Sequence, residues 1–450
     1  MTYLRYLLFA WALIFVAACT DDEVSDYDTY RVSVTLINPL TGNAVPQAEV
    51  SLTSSMGNCW KSVSDSSGVA AFRLPAGLYR LSSSAEYVNS DSTHYFLNAS
   101  TENLVVNAGH CVHGAASVTL TYTASRQGSL IIKELYNGGC QKDDGSGVYQ
   151  FDKYCTLYNN GQTPLTLTHL ALGMVAPYNA QSNAGSNYNE YGRLNYESEG
   201  FIPAIQAIWY YPDSLVLQGN EEITIVLNGA IDHTVSYKNS VNLGKAEYYC
   251  TYDPTVFTST SYYPVPSTLI PSSHYWKAVF YGAGTAWPVS TTSPALFIWQ
   301  SPDSISPQEY ANSDTNLFYS GGTQTPTYAC RKIPTDWVLD AIEVFTTTSI
   351  SNRKRMTDNL DAGAVYFTNQ QGYTLYRCVD VEATLAVEGN ADKLVYGLPS
   401  TPDASDGVVT TDPSGIDAEA SLANGAVIIY QDTNNSTNDF FERYQSALRD

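Results

Sequence analysis

Four groups of side chains in this 450-residue chain have the types and spacing that chemistry requires. In "HCVH", His110, Cys111 and His113 offer imidazole and thiolate, both good transition-metal ligands. Residues i and i+2 share a side only on a strand, and exposed strand-end histidines account for the same pattern without a metal. "QKDDGSG" (Asp143, Asp144, Ser146) and "QDTNNSTND" (Asp432, Asn434, Asn435, Asp439) supply close-spaced oxygens of the kind Ca²⁺ takes. Neither has EF-hand spacing, and Asx turns use the same residues with no ion. Ca²⁺ is therefore the one cofactor candidate, set against a reading with no cofactor. The fourth group is aromatic: "IQAIWYYPDS", "STSYYPVPS" and "SSHYWKAVFYGAGTAWP" carry Trp209, Tyr210, Tyr211, Tyr262, Tyr263, Tyr275, Trp276 and Trp287. In Pro-rich loops such rings would stack on a sugar or another planar ligand, or dock on a protein; in strands they would be core.

Enzyme signatures are absent. There is no HExxH, GxSxG, P-loop or dinucleotide fingerprint. A glycosidase-type carboxylate pair is defined by geometry and not by spacing, so sequence is silent on it. No CxxC occurs, which speaks against structural zinc. The formal charge of −22 becomes −23 once residues 1–18, which include Arg5, are removed. Nucleic acid and anionic lipid need clustered cations, so neither is an expected partner. Only "SNRKRM" (Arg353, Lys354, Arg355) breaks the acidic pattern.

The elements that position these residues begin with an export segment. A single positive charge, Arg5, precedes an apolar run from Tyr6 to Val16. The run is shorter than the about 20 residues a membrane span needs, so it reads as a cleaved signal peptide, residues 1–18. Val16-Ala17-Ala18-Cys19 resembles the lipobox of bacterial lipoproteins, which implies acylation (palmitate among the acyl chains) at Cys19. Several acyl chains on that residue would hold the protein on a bilayer. Asp21, Asp22, Glu23, Asp26 and Asp28 follow at once. Residues 19–29 read as an acidic tether, similar to the export signal of Bacteroidota lipoproteins displayed on the cell surface. Seven cysteines remain in an oxidising exterior, and their connectivity does not follow from sequence. Cys59 with Cys111 is the preferred pair, since both fall in one expected domain.

Residues 30–124 read as short strands. "YRVSVTLI" and "AEVSLTS" alternate apolar and polar residues with period two, and "NPLTGNAVP" is turn chemistry. "SDSSGVAAFRLPAGLYRLSSSA" places Gly68 and Gly77 at the ends of two further strands. It resembles the Ig-like or transthyretin-like modules of bacterial surface proteins. After the polar hinge "TASRQGS" a second, larger unit (128–450) opens with "SLIIKELYNGG" and "FDKYCTLYNNGQTPLTLTHLAL". There Asn159-Asn160-Gly161 suits a tight turn with positive φ. These strands resemble the start of a lamin-tail-type β-sandwich. "KIPTDWVLDAIEVF" reads as the best helix, capped by Thr335 or Asp336, with Trp337, Val338, Ala341, Ile342 and Phe345 at helical spacing. A Ser/Thr/Asp/Gly-rich insert near 382–423 reads as loop-like and mobile. The fold class expected is all-β: an Ig-like/transthyretin-like sandwich, then a larger lamin-tail-like β-sandwich with long loops and one or two short helices.

The ordered blocks "LIIKELYNGG", "YCTLYNNG", "IDHTVSYKNSVNLGKAEYY", "IPTDWVLDAIE", "LDAGAVY" and "QDTNNSTNDF" resemble the Bacteroidota lipoprotein family called domain of unknown function 4876. The chain departs from that pattern at Thr156, where a Glu is usual, and in the 382–423 insert. The resemblance implies location and architecture and no activity. Two functions remain in view. One is a non-catalytic accessory to a TonB-dependent β-barrel transporter, taking an iron complex or a glycan at the outer membrane. The other is a structural or adhesive surface protein.

Overall fold

A computed structural model describes residues 29–449 apart from 55–56, 90–93, 127, 182–186, 191, 347–351 and 398–411. Cys19 and most of the tether lie outside the described residues. The chain divides into two compact units: one holds the described residues up to 83 together with 100–121, the other holds 84–99 and the chain from 122 onward. As the sequence pattern implies, the class is all-β, with four short α-helices among the described residues.

In the first unit β1 (Thr29–Ile37) lies between β4 (Val69–Pro75), antiparallel, and β6 (Ala115–Thr121), parallel. β2 (Glu49–Ser54) lies between β3 (Cys59–Val63) and the first half of β5 (Gly77–Val88). The period-two pattern sets the core: Val32, Val34 and Leu36 of β1, Val50 and Leu52 of β2, and Phe72 and Leu74 of β4 are buried while their neighbours face out. Gly68 holds φ +73°, and a Cβ there would stand 2.7 Å from Ala44 Cβ, so the turn into β4 excludes other residues. Tyr79 is buried, and its hydroxyl donates to Pro75 O at 2.9 Å. This tyrosine corner is an Ig-type device.

The second unit is built on a 12-stranded sheet. Its strands are β7 (Leu130–Tyr136), β8 (Lys153–Asn159), β9 (Leu170–Met174), β10 (Ala207–Tyr210), β11 (Glu222–Asn228), β12 (Tyr249–Thr251), β13 (Tyr275–Phe280), β14 (Ala295–Gln300), β15 (Val338–Phe345), β16 (Val365–Tyr366), β17 (Thr374–Arg377) and β18 (Phe440–Arg443). The order is β16-β15-β14-β9-β10-β13-β12-β11-β8-β7-β17-β18. β7 and β8 are buried along their whole length, which is why "LIIKELY" and "KYCTLYN" read as unbroken runs. One apolar cluster takes Leu135, Leu157 and Ile225 from one half of the sheet and Leu172, Leu296 and Ile342 from the other. The sheet therefore rolls around it until β15 reaches β7, where the Asp340 carboxylate accepts the Ile132 N–H at 2.6 Å.

Three expectations are corrected here. "KIPTDWVLDAIEVF" is not a helix: it is a strand (Ala329–Pro334), a single 3₁₀ turn (Thr335–Trp337) and β15. A strand covered on both faces has no polar side, so its apolar residues imitate helical spacing. Asn159-Asn160-Gly161 turns with no positive φ. Asn159 makes the turn with its side chain, accepting from Gly161 N at 3.0 Å and donating to Thr163 O at 2.8 Å. The 382–423 insert carries α2 (Val381–Ala386) and α3 (Ala418–Ala423), after α1 (Pro307–Asn312). Asp380 and Asp417 cap these two helices with their side chains. Leu394, Ile416 and Ala418 pack with Tyr158, Tyr376 and Tyr430, so the described part of the insert is anchored to the core by these residues.

Candidate functional site

The roll of the sheet leaves a polar cleft of about 290 Å³ beside β15. Thr335 and Asp336 come from the 3₁₀ turn before β15, and Val338, Leu339 and Asp340 from β15 itself. Asn359 and Leu360 come from the turn closed by Leu360 N to Thr357 O, at 2.9 Å. Ala124 and, from the Asx-rich turn, Asn434 at φ +52° complete the described lining. The Asn434 Nδ2 is buried without a hydrogen-bond partner. Carboxylate, amide and hydroxyl groups thus stand around an apolar wall. Among the described residues no Lys, Arg or His lines the cleft.

Behind Asp340 lies a buried charge cluster. Arg377, at the end of β17, ion-pairs with Asp340, reaches Asp432 Oδ1 at 3.2 Å and stands 3.7 Å from Asp439 Oδ2. It stacks over Phe440 at 4.5 Å and donates through Nε to Ile132 O at 2.8 Å. Burial raises the pKa of all three carboxylates, and the guanidinium works against that rise. Next along β15, Glu343 accepts from Arg355 Nε at 2.8 Å and from the Arg355 and Met356 N–H groups. Asp361 accepts from Glu343 N and Ser436 N at 2.9 and 2.8 Å. Burial lifts its carboxyl to about 6, against Lys354 and its own hydrogen bonds. Each carboxylate is saturated by fixed partners, so the cluster is a scaffold for the cleft wall. Asp340 and Glu343 inside an apolar run were the sequence signal for it, masked by the helical reading.

The sequence candidates fall elsewhere. Asp432, Asn434, Asn435 and Asp439 are no Ca²⁺ site: Asp432 pairs with Arg377, and Asp439 accepts from Thr433 N, Thr433 Oγ1 and Asn435 N. A guanidinium already supplies the positive charge there. Asn435 caps α4 (Ser436–Asp439). Among the described residues no group of His, Cys, Asp and Glu could hold a metal. His110 bonds Asn107 Oδ1 through Nδ1, and Asp144 accepts from Ser146 N in a plain Asx turn. The aromatic face is mostly core. Trp209, Tyr211, Tyr263, Trp276 and Trp287 join the main apolar cluster, and Tyr210 joins a second. Trp287 Nε1 donates to Ile205 O and the Tyr263 hydroxyl to Trp287 O, whereas the buried Nε1 atoms of Trp209 and Trp276 have no partner. Only Tyr262 and Tyr275 are half-buried. Cys59 and Cys111 are both free thiols: Cys59 is exposed opposite Thr53 of β2, while Cys111 is buried in the turn before β6.

A family model described as a protein of unknown function, DUF4876, matches residues 218–382. The crystal structure of a DUF4876 family protein from Bacteroides thetaiotaomicron matches with a TM-score of 0.51 at 18% identity, over 91% of this chain and 94% of that one. A DUF3823 family protein from Parabacteroides merdae matches over 34% of this chain and 69% of that one, at 11% identity and a TM-score of 0.16. The shaft pilin SpaA of Lactobacillus rhamnosus GG covers 61% and 89%, at 9% identity and a TM-score of 0.15. The last two scores are too low to carry an argument. No curated protein matches the sequence. Residues 218–382 thus carry the DUF4876 sequence pattern, and the chain shares its fold with a DUF4876 family protein.

Proposed function

We propose that this chain is a lipid-anchored binding component of the outer membrane, non-catalytic and facing the cell exterior. In this reading it serves a TonB-dependent β-barrel transporter by holding a nutrient. The Cys19 lipobox and the acidic tether support the location. The observation that carries the binding role is the cleft beside β15, where Asp336, Asn359 and Asn434 face Leu339 and Leu360. Paired donors and acceptors against an apolar wall suit a neutral polyhydroxylated ligand, one face of which is CH and the edge OH. Of the two nutrients the sequence left open, a glycan suits the cleft better than an anionic iron complex, because the described lining is carboxylate, amide, hydroxyl and apolar. Of the two carboxylates that line the cleft, Asp340 is held by Arg377 and by the Ala341 N–H, an arrangement suited to holding shape and not to moving protons. The test is affinity purification of the tagged protein from mildly solubilised outer membranes, with mass spectrometry of what co-elutes. A stoichiometric β-barrel transporter is the expected result. Elution alone, together with no glycan bound on an array, would sink the reading.

A further inference from the structure

Lys153 and Asn228 stand opposite each other across β8 and β11, away from the cleft. They are register partners, and a bulge places Leu227 between Asn228 and Val226, the partner of Tyr154. Both side chains are 1% exposed. Neither polar atom of the Asn228 amide makes a hydrogen bond of good geometry, and the polar group beside it, the Tyr263 hydroxyl, is already spent on Trp287 O. An amide left unpaired in an apolar interior costs on the order of 2 kcal/mol or more, so the arrangement asks for a reason. Lys153 is as unusual. It is in no ion pair, and its Nζ donates to the Val289 carbonyl. Burial brings its pKa down to about 7, with only the Asp152 charge acting against it. Near neutral pH a large fraction of this amine is uncharged, with a free lone pair. The neighbouring Leu227, Tyr263 and Val289 belong to the main apolar cluster, which keeps bulk water away.

A buried amine and a buried, weakly held carboxamide at paired positions of adjacent strands are the reactants for amide exchange, brought to one another by sheet register. We propose that Lys153 Nζ and Asn228 Cγ become joined in an intramolecular isopeptide bond. Nζ attacks Cγ, and a new C–N bond forms. The Cγ–Nδ2 bond breaks with its electron pair on nitrogen. The proton lost by Nζ ends on Nδ2, which leaves as ammonia. No electron is gained or lost and no co-reactant is consumed. The product removes the costly buried amine and ties β8 to β11 in the interior of the 12-stranded sheet. Asn137 is the competing carboxamide, since it follows Tyr136, the partner of Tyr154 on β7. Its Nδ2 is already committed to Ser290 O at 2.9 Å, which leaves Asn228 as the acceptor.

Peptide mapping of the full-length protein decides the matter. The protein is unfolded, digested with trypsin and read by mass spectrometry. The expected result is loss of cleavage after Lys153, and a branched species that joins the Lys153 and Asn228 peptides one ammonia lighter than their sum. Linear, unmodified peptides at both positions would overturn the proposal, as would a branch ending at Asn137. K153R and N228A should each abolish the branched species. The wild-type map stands by itself if either variant does not fold.

Discussion

Asp340 and Arg377 together complete the hydrogen bonds of one residue that neither of their strands pairs with. Asp340 accepts the N–H of Ile132 at 2.6 Å, and Arg377 Nε donates to the carbonyl of the same residue at 2.8 Å. The β7–β17 ladder ends at Glu134 and Tyr376. Beyond that point two charged side chains replace a strand along the seam where the sheet rolls onto β7. Since unpaired backbone groups are costly in an apolar interior, the ion pair also serves as a backbone cap.

Removing the cation from that seam should therefore be severe. R377M leaves Asp340, Asp432 and Asp439 buried without their counter-charge and strips Ile132 O of its donor. We expect a loss of about 3–5 kcal/mol, measured by urea unfolding followed by circular dichroism. A loss below about 1 kcal/mol, the range of an exposed pair, would show the seam to be dispensable.

Acidity should help the fold at several buried carboxylates, and Asp361 is the one whose share can be isolated. The Asp361 carboxyl sits at about 6 when folded, above its ordinary 3.8. The folded state thus binds more protons than the unfolded state between about pH 4 and 6. Its contribution is fully present below the unfolded value and is lost as pH rises through the folded one. The size is about 2–3 kcal/mol. Urea midpoints measured from pH 4 to pH 7 should fall less steeply in D361N than in the wild type; equal slopes would refute the assignment.

Trp209 tests the aromatic correction. It is fully buried beside Phe257 and Tyr263, with ring centroids 5.4 and 5.5 Å away. W209A should lose about 3–5 kcal/mol of stability. A variant of unchanged melting temperature but weakened ligand binding would restore the binding-face reading.

The cleft has its own probe in Asn434. N434G keeps a residue at ease with the positive φ while deleting the buried amide. With a neutral sugar identified on a glycan array, titration calorimetry should show at least about tenfold weaker binding, about 1.4 kcal/mol. The melting temperature should hardly move. Unchanged affinity would place the sugar elsewhere.

Cys19 offers the simplest test. Cells fed labelled palmitate should yield a labelled protein, and C19S should appear unlabelled and leave the membrane fraction. Label on C19S would move the anchor to another residue.

The strand pattern of the first unit was legible because each strand has one wet face. "YRVSVTLI" buries every second residue, and the glycine in "DSSGVA" marks a turn that only glycine fits. Legibility failed where strands are covered on both sides. β15 lost its period and read as a helix. The aromatic segments left both a core and a binding-face reading open, because Pro and Tyr-Tyr pairs are common to turns and to buried strand ends. The Asx-rich turn kept a cation site in view beside an ion-free turn because sequence shows oxygen atoms but not the arginine that reaches them.

What depends on near neighbours in the chain could be read from the residues alone: the all-β class, the turns of the first unit and the acidic charge. Tertiary structure alone decided what depends on register between distant strands. It brought Arg377 to Asp340, set Lys153 opposite Asn228 and opened the cleft beside β15. Backbone hydrogen bonds fix which residues face each other across a sheet, and a one-residue slip would send each side chain to the other face. That pairing is a property of the assembled sheet, so no local stretch of sequence carries it.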